Sequence, residues 1–138
     1  MNECVFCKII NKEQECYRIY ESDTMVSFLD HDPIHEGHVL IVPKIHRPSI
    51  DQIPLSILND MMALSQKVVS ALMQIYKSNG YGMMQNGGEF CDFGHFHLHI
   101  FPRYRHDGFG WTYPPGSFEC SWRVAKKIIE HLVADHVI

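Results

Sequence analysis

Polar and apolar residues recur with two different periods along this chain, and each change of period marks an element. Arg18-Ile19-Tyr20 and Met25 to Leu29 are β-compatible runs separated by the polar, turn-prone Glu21-Ser22-Asp23-Thr24, and together they predict a hairpin. His38-Val39-Leu40-Ile41-Val42-Pro43 is apolar at successive positions and bounded by Gly37 and Pro43, the pattern of a central strand covered on both faces. From Pro54 to Tyr76 the period lengthens. Leu55, Leu58, Met62, Val69, Leu72, Met73 and Tyr76 recur at three- and four-residue steps, predicting a long helix that covers the sheet, with Pro54 in its first turn. It should end near Lys77-Ser78-Asn79-Gly80, with glycine taking the left-handed cap. Tyr81 to Gln85 predicts another strand, and Asn86-Gly87-Gly88-Glu89 a tight loop able to expose backbone amides. A last strand runs from His95 to Phe101 and stops at Pro102. The tail holds an aperiodic Gly/Pro/aromatic stretch, Gly108 to Gly116, and a second helix from Ser121 to Val133. Before the first strand, Cys4 to Ile10 reads as a short apolar tether.

These elements describe an α+β fold: an antiparallel sheet of about five strands with one long helix on a face and a C-terminal helix. The length of 138 residues suits one domain, 1–138, with a core over about 3–104 and a tail from 105 to 138. No apolar stretch approaches the roughly 20 residues of a membrane helix, and Met1-Asn2-Glu3-Cys4 lacks the basic flank of a signal peptide, so no membrane partner and a cytoplasmic location are expected. A net charge of -4 supplies no basic field for duplex nucleic acid. Five cysteines, an odd number without an export signal, argue for metal binding, catalysis or burial rather than a disulfide framework.

Ten histidines are the unusual feature of the composition. Three of them alternate with apolar residues in His95-Phe96-His97-Leu98-His99-Ile100-Phe101, so a strand places the imidazoles on one face and Phe96, Leu98 and Ile100 on the other. A one-residue slip would bury the histidines, so the apolar set positions the polar set. Two chemistries use such a row. In metal binding only pairs can chelate, because His95 and His99 begin roughly 13 Å apart at about 3.3 Å per residue. In nucleophilic catalysis one largely neutral imidazole attacks an electrophile such as phosphorus while its neighbours orient it and hold developing charge. Separately, Cys4 and Cys7 have the spacing of a zinc-chelating pair, with two reduced cysteines in an apolar segment as the alternative.

The triad sequence resembles the histidine triad (HIT) superfamily, whose motif His-φ-His-φ-His-φ-φ is complete from His95 to Phe101. The likeness extends to Cys4-Val5-Phe6-Cys7-Lys8-Ile9-Ile10, Phe28-Leu29-Asp30, the segment His38 to His46, and Asn86, and it is strongest to the bacterial zinc-containing nucleoside phosphoramidase-like (Hint) branch. The resemblance implies that His97 attacks the α-phosphorus of a nucleotide to form a nucleotidyl-histidine, that His99 contacts the phosphate oxygens, and that His38 helps order the triad. It implies that Asp30 accepts the ribose hydroxyls, that Phe6, Ile9, Phe28 and Leu40 line the base pocket, and that Asn86 contacts phosphate or leaving group. Core packing is the alternative role for each of those apolar residues. It further implies that His46 and His95 complete a closed, structural zinc site with Cys4 and Cys7, that the ligand is a purine nucleotide or nucleotide conjugate, and that the protein forms a homodimer. The other cysteines, Cys16, Cys91 and Cys120, read as free thiols. His31, His35, His106, His131 and His136 take surface placement by default.

One position departs from the family pattern. Many members carry Ser or Thr five residues before the nucleophile as a donor to the leaving group, and here Asp92 holds that place. A carboxylate beside a phosphate is repelled, so Asp92 is turned away, protonated, or matched to a different leaving group. The implied activity is hydrolysis of nucleoside phosphoramidates or related conjugates with release of a nucleoside monophosphate. The alternatives are a dinucleoside polyphosphate hydrolase or nucleotidyl transferase, a nucleotide-binding regulatory protein, and a metal-storage or sensing module.

Overall fold

Five strands form one antiparallel sheet in the order β1-β2-β3-β5-β4. They are β1 (Arg18–Glu21), β2 (Met25–Leu29), β3 (Val39–Pro43), β4 (Gly80–Met84) and β5 (Leu98–Arg103), preceded by helix α1 (Val5–Ile10), with α2 (Leu55–Tyr76) between β3 and β4 and α3 (Trp122–Ala134) after β5. This computed structural model describes residues 4–134, so His136 and residue 3 lie outside the described residues. The chain divides after Asp107 into two units. The first carries the sheet with α1 and α2. The second carries α3 and the aromatic stretch before it, in which Trp111, Tyr113 and Phe118 are exposed.

Alternation along the strands gives the sheet two apolar faces. Phe96, Leu98 and Ile100 join Met25, Val39 and Ile41 beneath α2. Val26, Phe28, Leu40 and Val42 face the other way and pack with Cys4, Phe6 and Ile9 of the N-terminal segment. The expected division of the triad strand is therefore found: its apolar residues enter the α2 layer. The helix meets the sheet through Met61, Ser65, Val68 and Leu72, while Leu55 and Met62, counted into the apolar stripe from spacing, are exposed. Their three- and four-residue spacing is right, but the true stripe is rotated toward Met61 and Val68.

Three further expectations are corrected. The N-terminal tether is the helix α1, capped by Cys4, whose Sγ accepts from the Cys7 N–H. The left-handed residue after α2 is Lys77 (φ 52°, ψ 38°), not glycine, and β4 begins at Gly80. The last strand starts at Leu98 and runs through Pro102 to Arg103. His95 and His97 lie in the extended segment that leads into it, held by the Phe96 N–H bonded to the Arg47 carbonyl at 2.7 Å. Pro102 is tolerated because pairing with β3 ends at Ile100, so it removes no donor from the interior ladder on that side.

Phe96 is fully buried between the two histidines it separates in sequence. Phe96→Ala is expected to cost about 3–5 kcal/mol, read as a lower midpoint in chemical denaturation with an unchanged slope.

Candidate active site

The histidine face of β5 looks toward α1. The register of the central strands sets Leu40 opposite His99, with His38 two residues earlier and diagonal to it. His38 Nε2 and His99 Nδ1 are 3.0 Å apart. The direction of that bond follows from its neighbour: the Ile34 backbone N–H donates to His38 Nδ1 at 3.0 Å, so the proton of neutral His38 sits on Nε2 and is donated to His99. His99 then carries its own proton on Nε2. His97 is fixed in the opposite sense. Its Nδ1 lies 2.8 Å from the His95 carbonyl, which can only accept, so neutral His97 has its lone pair on Nε2. The row thus contains one unprotonated nitrogen on the middle imidazole and one N–H donor on the third.

Burial maintains these states. His99 is pushed down to about 4, first by burial and then by its neighbours His97 and His38, against the pull of Asp30 and Asp92. His38 is lowered as well, chiefly by burial, with Asp30 and Asp32 opposing. Asp30 has one carboxylate oxygen accepting from the Asp32 N–H at 2.9 Å and the other 3.6 Å from His38 Nε2. Asp30, His38 and His99 come close enough to hold a cation. A metal there would have to replace the His38–His99 hydrogen bond, and the backbone donor on His38 Nδ1 identifies the group as a hydrogen-bonded relay instead.

A cavity of about 250 Å³ opens over these groups. One end is apolar, walled by Phe6, Ile9, Phe28 and Leu40, all four expected there. The other presents His97, His99, Asp30 and Asp92, also expected. Phe6 serves both ends, with its ring edge-to-face against His97 at 4.8 Å and against Phe28 at 5.8 Å. Asn86 is not among the lining residues; it is exposed on the loop after β4. Val5, His31, Asp32 and Phe93 line the cavity without having been singled out from the sequence. His31 keeps its expected exposure, but His35 does not. It is half-buried, 3.1 Å from Asp107 and edge-on to Tyr104. Phe93 adopts φ 60° and ψ 11°, a left-handed conformation that costs a bulky residue about 1–2 kcal/mol and is held by an edge-to-face contact with Phe6 at 5.4 Å. No spacing rule announces such a residue, which sits inside the short turn Asp92–Gly94 just before the triad.

Beside the cavity, Cys4, Cys7, His46 and His95 bring their ligand atoms within 4.8 Å of one another. The separations are 3.0 Å between the two Nδ1 atoms, and 3.2, 3.5 and 3.6 Å for the measured sulfur–nitrogen pairs. A tetrahedral zinc with Zn–S of ~2.3 Å and Zn–N of ~2.0–2.1 Å requires edges of about 3.3 and 3.5 Å, so the set fits that ion. His95 Nε2 is 2.8 Å from the Pro43 carbonyl, which fixes the tautomer and turns the Nδ1 lone pair toward the sulfurs. Burial and the adjoining Cys4 push the Cys7 thiol up to about 11, and a divalent cation is what would hold both sulfurs as thiolates. Four protein ligands leave no position for substrate. The other thiols, Cys16, Cys91 and Cys120, are free, as expected.

The strand order, the paired imidazoles and the aromatic-walled cavity bring the residues of the triad motif together in one site. Residues 11–106 match the family model of the HIT domain, and the chain belongs to that family. It is 32% identical over 138 residues to the adenosine 5'-monophosphoramidase HNT1 of Candida albicans, with 94% of this chain and 91% of that protein covered. Among solved structures, a HIT family protein from Bacillus anthracis superposes with a TM-score of 0.84 at 28% identity, covering 97% of each chain. A Zn-bound histidine triad family protein from Mycobacterium smegmatis superposes with a TM-score of 0.72 at 30% identity, covering 83% of this chain and 84% of the other.

His99 provides a pH test. A histidine whose folded pKa is about 4 against an ordinary 6.5 binds fewer protons folded than unfolded between those values, so stability rises with pH through that window and is lost on acidification. His99→Asn should reduce the slope of unfolding free energy against pH between about 6.5 and 4, by at most ~3 kcal/mol over the interval.

Proposed function

We propose that the protein hydrolyses nucleoside phosphoramidates or related nucleotide conjugates at the α-phosphorus and releases a nucleoside monophosphate. One observation carries the reading: the hydrogen bond from His97 Nδ1 to the His95 carbonyl leaves Nε2 as an unprotonated nucleophile in the cavity. The base, a purine, would stack among Phe6, Ile9, Phe28 and Leu40, and Asp30 would accept from the ribose hydroxyls. His97 Nε2 then forms a bond to phosphorus as the bond from phosphorus to the leaving nitrogen breaks and that nitrogen takes a proton from solvent, departing as the amine. The His99 Nε2–H, oriented by the His38 relay, donates to a phosphoryl oxygen and holds the charge that builds there. Water attacks the nucleotidyl-His97 in the second step. It forms the new P–O bond, breaks the P–N bond to His97 and gives up the proton that balances the one taken by the departing amine. The identity of the Candida albicans relative as an adenosine 5'-monophosphoramidase supports this reaction over transfer to another acceptor. As in the family it resembles, the protein would act as a homodimer in the cytoplasm.

A structural zinc on Cys4, Cys7, His46 and His95 would supply no chemistry to phosphorus. When bound it joins α1, which carries the Phe6 and Ile9 walls, to the His95 residue whose carbonyl orients His97.

His97→Ala is expected to lower AMP release from an adenosine phosphoramidate by more than ~10³-fold while the fold is kept; turnover at the wild-type rate would remove His97 as nucleophile. Elemental analysis should find about one zinc per chain, with Cys7→Ser lowering metal content and thermal midpoint together. A metal-free wild type of undiminished stability would exclude the structural ion.

A further inference from the structure

The polar end of the cavity is charged in one sense. Asp30, Asp32 and Asp92 contribute to its lining, and among the described residues no lysine or arginine does. These carboxylates are not equivalent. Asp30 is occupied by the Asp32 N–H and by its approach to His38 and His99. Asp92 makes no side-chain hydrogen bond or ion pair among the described residues, and it is exposed. Its neighbour Phe93 turns onto Phe6 at the apolar end, whereas the Asp92 charge acts on the His99 imidazole. A phosphorus placed for attack by His97 and for a hydrogen bond from His99 therefore shares the cavity with Asp92. The base occupies the aromatic walls, so what remains to face Asp92 is the group on the far side of the phosphorus.

We propose that Asp92 is a specificity-determining residue that makes the site prefer conjugates whose leaving group carries an ammonium over those whose leaving group carries further negative charge. The proposal rests on the hydrolase reading above and narrows its substrate class to phosphoramidates of amines bearing a second, protonated amine. An unpaired carboxylate attracts such a cation and repels a carboxylate or a polyphosphate, and the absence of a lining cation leaves nothing to offset that repulsion. The exposure of Asp92 makes the effect dependent on ionic strength.

The test uses two AMP esters that have no P–N bond to cleave, the 2-aminoethyl ester and the carboxymethyl ester, with calorimetric Kd values at low salt. Wild type should bind the aminoethyl ester at least ~10-fold more tightly, about 1.4 kcal/mol. The preference should shrink to within about threefold in Asp92→Asn and invert in Asp92→Lys. Each ratio is read within one protein, so a general loss of affinity in a variant cancels. A wild-type ratio near one, or one that Asp92→Asn leaves in place, overturns the proposal. Because the esters report binding alone, a phosphoramidate that yields no AMP while the ratio is intact would count against hydrolysis and leave the charge preference standing.

Discussion

The packing of Phe96, Leu98 and Ile100 beneath α2 is the constraint from which the site follows. Those three side chains fill the layer under α2, and with period two they put His95, His97 and His99 on the opposite face. Shifting the segment by one residue would put imidazoles into the α2 layer, where an unpartnered polar group costs several kcal/mol, and would turn Phe96 and Leu98 out of it. The histidine row is thus held in place by its own intervening residues.

From that register the protein sets the tautomers of its imidazoles chiefly through backbone groups. Backbone groups do most of the work: the Ile34 N–H on His38, the His95 carbonyl on His97 and the Pro43 carbonyl on His95 each determine one tautomer. Backbone atoms do not titrate, so the arrangement holds wherever the imidazoles stay neutral, and burial keeps His99 neutral well below neutral pH. His95 occupies the junction. Its ring faces the cysteines, its carbonyl orients the His97 ring, and the helix that Cys4 caps and Cys7 belongs to also carries an aromatic wall of the cavity. The cysteine–histidine cluster and the cavity share a frame because they share that residue and that helix.

Much of this was legible before any coordinates. Periods of two and three-to-four residues located the hairpin, the central strand, the long helix and the triad strand, because each element repeats one choice many times. Single-residue features were harder to read. The phase of α2 depended on which side met the sheet, and Met61 and Met62 are indistinguishable by type. The tether proved a helix because six residues carry too short a period to display one. Phe93 left no trace, since its left-handed backbone and its contact with Phe6 depend on two segments 87 residues apart in number, 6 and 93.

The residue types and their alternation already contained the α+β fold, the common face of the triad and the Cys-x-x-Cys spacing, all readable from local pattern. They could not contain the tautomers, the closing of His46 and His95 onto the cysteines, or the cavity walled by Phe93 and charged by Asp92. Those depend on distances between atoms remote in sequence, which come to exist when the strands pair and the two helices cover opposite faces of the sheet.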